Sequence, residues 1–168
     1  MIRILLIFIL FACRLLAEFG DTSVSEDFGF QYTLKENGIG SVRYITPDHS
    51  VETISDGEKT YKKIVLPSAS HVSEPGQPDL PSSSTFIAVN PGKTYSINVN
   101  IVSSQVTDDI EILPKNSWEN NAEISFTQGE VYNSTGFYPQ NIATISETMI
   151  MRELAVVNLT VTPFRYYP

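Results

Sequence analysis

The 168 residues predict an all-β fold, an antiparallel β-sandwich of jelly-roll type in a single domain. Apolar residues alternate with polar ones in many short windows, the period of half-buried strands. No window of helical length keeps an apolar stripe at i, i+3, i+4 and i+7. Turn sequences ("ENGIG", "SDGE", "NPGK", "TQGE", "STGFYP") separate the windows at sandwich spacing, giving roughly eight to ten strands.

The chain opens on "MIRILLIFILFACRLLAE", an apolar run from Ile4 to Ala12 behind Arg3. That run is shorter than the roughly 20 residues of a membrane span. It fits the apolar region of a secretory signal, so residues 1–17 are expected to be a signal peptide cleaved after Ala17. "LFAC" offers a lipoprotein site at Cys13 as the alternative, and a retained anchor is the third reading. Residues 18–168 are then enough for one domain with its own core. Losing Arg3 and Arg14 with the leader makes the formal charge two units more negative than −8. Such a surface repels nucleic acid and anionic membranes. The expected location is extracellular or at the cell surface, reached through the periplasm in a bacterial host. Cys13 is the sole cysteine, so the exported domain has no disulfide, thiol nucleophile or thiolate ligand.

Along the mature chain, "FGFQYTL" puts Phe28, Phe30, Tyr32 and Leu34 on one face. "SVRYIT", "TYKKIVLP" and "EISF" follow the same rule more weakly. In "SEPGQPDLPSSSTFIAVNPG", Pro75, Pro78 and Pro81 recur every third residue, as suits an extended polyproline II segment. Each removes a backbone donor, which bars the segment from a central strand. It is expected to lead stiffly into a strand, "TFIAVNP", that stops at Pro91. Either it crosses between sheets, or its P-x-x-P pattern is a ligand for an aromatic groove. "YSINVNIV" is the cleanest alternation, with Tyr95, Ile97, Val99 and Ile101 predicted inward. "LAVVNLTVTPF" is apolar on both faces and reads as a central strand.

Catalytic chemistry is sparse. No G-x-S-x-G elbow occurs, and the two histidines, His49 and His71, fall in predicted loops where solvation is expected. No H-x-x-x-H spacing exists, so neither a metal nor a cofactor is expected. Asp109 and Glu111 are expected on one face of a strand; paired carboxylates can hold calcium or do acid–base work, but a charged strand edge explains them as well. Asn133 and Asn158 begin glycosylation-type tripeptides.

Three stretches, taken together, resemble the N-terminal propeptide of gingipain-type (C25 family) cysteine peptidases. The first is "EPGQPDLPSSSTFIAVNPGKTYSINV", with Gly76, Pro78, Leu80 and Pro81 ahead of a strand. The second runs from "VYNSTGFYPQN" to the chain end, with Tyr138-Pro139, Arg152, Pro163 and Tyr167-Pro168 in the family's order. The third is "IEILPKNSW", a strand ended by Pro114. The resemblance covers about residues 60 to 168. It implies a non-catalytic β-sandwich that keeps a cysteine peptidase catalytic domain latent and helps it fold, in cis within one precursor. It also implies a further strand after Pro168, so that the sandwich lacks its last strand here. Relatives present a basic side chain from the loop after the Pro114 position, which makes Lys115 and Trp118 the candidate inhibitory contacts. A free-standing extracellular binding or adhesion sandwich is the alternative, with Tyr138, Tyr166, Tyr167 and Trp118 as its aromatics, and an enzyme in its own right is a third reading.

Overall fold

The computed structural model describes residues 2–4, 13–14, 29–34, 39–116 and 126–168. In chain order the strands are β1 (Ile2–Ile4), β2 (Cys13–Arg14), β3 (Gly29–Leu34), β4 (Ile39–Ile45), β5 (Ser50–Asp56), β6 (Lys59–Val65) and β7 (Ser70–His71). There follow β8 (Pro81–Ala88), β9 (Gln105–Thr107), β10 (Ala143–Ile145), β11 (Met149–Met151), β12 (Leu154–Val161) and β13 (Phe164–Tyr166). A short 3-10 turn, Glu130–Asn133, is the one helical piece among the described residues. Every ladder is antiparallel, as the alternation predicted. Lys62 and Ile112 form an isolated parallel bridge.

Strand β12 is central, as its two apolar faces required. One edge pairs with β8 from Val156↔Ala88 to Val161↔Ser83. The other carries β11 at Met149↔Val156 and β10 at Ala143↔Val161. Arg152 turns the β11–β12 hairpin at φ 57. Val157, Leu159 and Val161 meet Ile87 of β8 and Val42 and Tyr44 of β4 in one buried cluster, with Phe30 of β3 against it. Each fully buried aliphatic side chain contributes about 1.5–3 kcal/mol of hydrophobic stabilisation. The Tyr44 hydroxyl bonds Ser83 Oγ at 2.8 Å, and Tyr32 reaches Thr85 Oγ1 at 2.6 Å. The β3–β4 pair is thereby fastened to the β8–β12 pair by polar contacts as well as by the core.

A second buried cluster comprises Ile64, Leu66, Leu80, Ile112, Phe164 and Tyr166. Its parts come from distant points of the sequence, and the segment from Ser73 to Pro81 contributes Leu80 to it.

Four local expectations are corrected. Tyr95–Ile101 forms no ladder among the described residues: Tyr95 and Ile97 pack on the first core, but Val99 and Ile101 are exposed. Alternation reports which way side chains point, and a backbone that makes no more than a single bridge, at Asn100, satisfies it equally well. Asp109 has φ 58 and lies outside any strand, so it and Glu111 do not share a strand face. The proline-rich lead-in gives way to β8 at Pro81 itself, earlier than "TFIAVNP" suggested. Phe126, the described end of "EISF", is not in a strand. Phe28, and 123–125 of "EISF", lie outside the described residues.

Candidate functional site at the base of the 117–125 segment

The first and third stretches singled out in the sequence pair with each other. Pro78 faces Pro114 across an antiparallel bridge. Asp79 N–H donates to the Leu113 carbonyl at 2.8 Å, and Lys115 N–H to the Gln77 carbonyl at 2.8 Å. This pattern makes Pro78 and Pro114 a non-hydrogen-bonded pair, in which neither residue needs an N–H. Two prolines can therefore sit opposite each other at no cost in lost bonds. The spacing that barred a regular strand suits this alternating requirement.

Gly76 then joins both stems of the intervening segment. Its N–H donates to the Lys115 carbonyl at 2.8 Å, and its carbonyl accepts from Gly129 N–H at 2.7 Å. Gly76 has φ 81, the left-handed region where a Cβ is unfavourable. A Cβ on Gly129 would lie 2.9 Å from the Gly76 carbonyl oxygen, so the two backbones meet closer than a side chain would permit. One residue of the proline-rich segment thus holds the chain where it departs after Lys115 and where it returns at Gly129. Further out, Gln128 bonds both Lys59 Nζ, at 3.0 Å, and the Glu111 carboxylate.

Charge reinforces the backbone. Asp79 is only 7% exposed, and an isolated carboxylate there would be costly. Its Oδ1 takes His71 Nδ1 at 2.9 Å and Lys115 Nζ at 3.5 Å. His71 is therefore no solvated loop residue, as the sequence reading held: it lies in β7 and is half-buried on Asp79. His49, the other one, is exposed, with its ring centre 4.9 Å from that of Phe164 in an edge-on arrangement. Lys115 sits within this cluster, while Trp118 lies outside the described residues.

Behind the cluster stand tyrosines. Tyr132 donates its hydroxyl to the Ile112 carbonyl at 2.8 Å. Burial, then the neighbouring Tyr166 and Tyr61 and the Glu111 and Asp79 carboxylates, drive its phenol far above the usual tyrosine range. Burial likewise raises Tyr138 and Tyr166.

The second stretch also closes on itself. Tyr138 and Tyr166 exchange backbone bonds at 2.8 and 2.7 Å, beside the cis Tyr138–Pro139 peptide. Arg165 donates to the Pro139 carbonyl at 3.2 Å and lies 4.2 Å from the centre of the Phe137 ring, which meets Tyr167 at 5.2 Å. Tyr138, Pro139, Tyr167 and Pro168 thus gather at one end, near the buried Pro163, while Arg152 sits apart in its hairpin turn. Among the described residues no group of three or more His, Cys, Asp or Glu is placed to hold a metal, and no helix is long and apolar enough to cross a membrane.

Gingipain R2 of Porphyromonas gingivalis is 33% identical over 104 residues, 58% of this chain and 14% of the relative. Gingipain R1 of the same species is 29% identical over 104 residues, covering 58% and 10%. The chain thus spans a small part of the curated relatives it matches. A solved complex of Porphyromonas gingivalis RgpB pro- and mature domains superposes with a TM-score of 0.70 at 24% identity, over 85% of this chain and 77% of that one. A structure addressing zymogenic latency of gingipain K from Porphyromonas gingivalis gives 0.64 at 19%, over 86% and 85%. At these identities the superpositions establish the all-β fold. A family model described as Propeptide_C25 matches residues 31–168, and the chain belongs to that family, the non-catalytic propeptides of C25 cysteine peptidases.

Proposed function

We propose that this domain keeps a C25-type cysteine endopeptidase latent and assists its folding, the catalytic domain lying downstream in the same precursor. The observation that carries this is the closed base at Gly76, which bonds both Lys115 and Gly129, on either side of the 117–125 segment. The solved relatives described as a pro- and mature-domain complex and as a latent zymogen support the same role. Lys115, at the base of that segment, and Trp118 are the contacts with the peptidase. A large aromatic commonly carries a disproportionate share of interface energy, and truncating a buried ionic contact costs about 2–5 kcal/mol. Residues 1–17 act as the export signal, and β1 and β2 leave with them, placing the domain outside the cell or at its surface. The two core-sharing strand pairs are the layers of the expected sandwich.

The test mixes the exported chain with the mature domains of gingipain R2 and gingipain K and measures inhibition and binding. Inhibition of either supports latency, and Lys115→Ala and Trp118→Ala should each weaken it at unchanged thermal stability. Neither inhibition nor binding with both enzymes refutes the role.

A further inference from the structure

We infer that the outward face of the β8–β12–β11 sheet, centred on Val156, is a second seat for the peptidase domain of the same precursor, apart from the closed base at Gly76. The inference rests on the latency reading and deepens it by naming a surface on which the peptidase lies.

The register sorts the side chains of this sheet onto two faces. Ile87, Ala155, Val157 and Leu159 turn into the first core. The opposite face is defined by the pairs Met149↔Val156, Met151↔Leu154, Val156↔Ala88 and Asn158↔Phe86. A sheet face turned to water normally carries polar residues. That holds at one end, where the hydroxyls of Ser84 and Thr160 bond at 2.9 Å. At the other end it fails. Phe86 is 55% exposed, Met149 39%, Met151 48% and Leu154 62%, around a Val156 that is itself buried. Threonine would suit these strand positions as well, so the fold alone does not account for an apolar choice at each.

Area and charge select the occupant. Four large side chains about half exposed leave an apolar patch on the order of 400 Å², a size that commonly marks an interaction site on a monomer. A stable free-standing complex buries about 800 Å² on each partner. The patch falls short of that, so by itself it sustains neither a homodimer nor the capture of a separate protein. A tether removes the shortfall, because a partner on the same chain acts at an effective concentration of about millimolar. Charge also disfavours a second copy: without its leader the domain is two units more negative than −8, and Glu153 stands in the turn at the edge of the patch. Position favours the peptidase. The chain runs from the Pro78–Pro114 bridge directly into β8, and the step from Pro78 to Phe86 spans at most about 29 Å, within reach of one partner domain.

The experiment compares the exported chain with two variants, Phe86→Thr and the double change Met151→Thr with Leu154→Thr. It measures binding to the mature domains of gingipain R2 and gingipain K, thermal midpoint and sedimentation. Ile150→Thr is the control, because Ile150 pairs with Ala155 and is 66% exposed on the other face of the same hairpin. The expected result is about tenfold weaker binding for the double variant, a smaller loss for Phe86→Thr and none for the control, at midpoints close to the parent. Unchanged affinity in both patch variants, beside a parent that binds, overturns the inference and leaves latency standing. An equal loss in the control overturns it as well, since the effect then does not belong to this face. A lowered midpoint in the patch variants assigns the patch to the domain's own packing, and a parental dimer that they dissolve assigns it to a second copy; either result overturns the inference. A parent that binds neither enzyme refutes latency, and this inference falls with it.

Discussion

Replacing Gly129 with alanine isolates the contact that closes the loop. Gly129 has φ −88, a backbone that alanine adopts freely. Considered alone, the change would stabilise the fold by about 0.4–1 kcal/mol by restricting the unfolded chain. Its Cβ, however, would lie 2.9 Å from the Gly76 carbonyl oxygen and 3.3 Å from the carbonyl carbon. The obstructing atoms are backbone, and Gly76 is already tied to Lys115, so they have little room to move. The 2.7 Å bond from Gly129 N–H must lengthen or break. Losing it costs about 0.5–1.5 kcal/mol, and up to about 3 if the Gly76 carbonyl is left without a partner. With the Gly76 carbonyl left without a partner, the opposing terms leave a net loss of about 2 kcal/mol. Urea unfolding measures it, with Gly136→Ala as the control because nothing lies within 4 Å of its Cβ position. The expected result is a lower midpoint for Gly129→Ala at unchanged slope and a midpoint for Gly136→Ala at or above the parent. If Gly129→Ala matches the control, the close approach does not hold the stems, and the closed base loses its physical support.

Two further outcomes test the body of the fold. Because the folded state raises the Tyr132 phenol above its ordinary value near 10, the neutral form is favoured in the native protein. Its contribution is complete below that value and is lost as pH rises beyond it, so stability should fall in alkali. Tyr132→Phe should flatten that fall while costing about 0.5–1.5 kcal/mol at neutral pH through the lost Ile112 bond, and an equally steep alkaline loss would count against the burial of the phenol. Leu159→Ala, at the centre of the first core, should cost about 2–5 kcal/mol through lost burial and the cavity left behind. A loss under about 1 kcal/mol in chemical denaturation would contradict the two-sided packing of β12.

The legible parts of the fold were those where side-chain periodicity and backbone pairing coincide. β12 was readable because a strand buried on both faces needs apolar residues throughout, and "LAVVNLTV" supplies them up to Asn158. β3 and β4 were readable because Phe30 and Tyr32 meet Tyr44 and Val42 in register. β5 escaped notice because "SVETISD" is largely exposed and is held by its ladder to β6 across Gly57, leaving little apolar pattern to detect. The failure at "YSINVNIV" runs the other way: the pattern is present, but no described strand lies alongside.

The site was half legible for a similar reason. Prolines at Pro78 and Pro114 could be read as breaks, but not as partners, because pairing of the two brings together residues far apart in sequence that each merely lack a donor. The charge cluster left a fainter mark. Asp79 stands between Pro78 and Leu80, where an acid has no reason to be buried unless a cation reaches it. With few basic residues in the mature chain, the candidates were limited, and Lys115 sits directly after the proline that faces Pro78. An acid embedded in an apolar, proline-rich segment therefore points to its partner once Pro78 is known to lie against Pro114. His71 could not be found that way, since its eight-residue separation from Asp79 matches no regular period and depends on the chain doubling back at β7. The same reversal that concealed the histidine brings a strand, β7, against a buried carboxylate that also takes the Lys115 ammonium, so residues far apart in sequence share one acceptor.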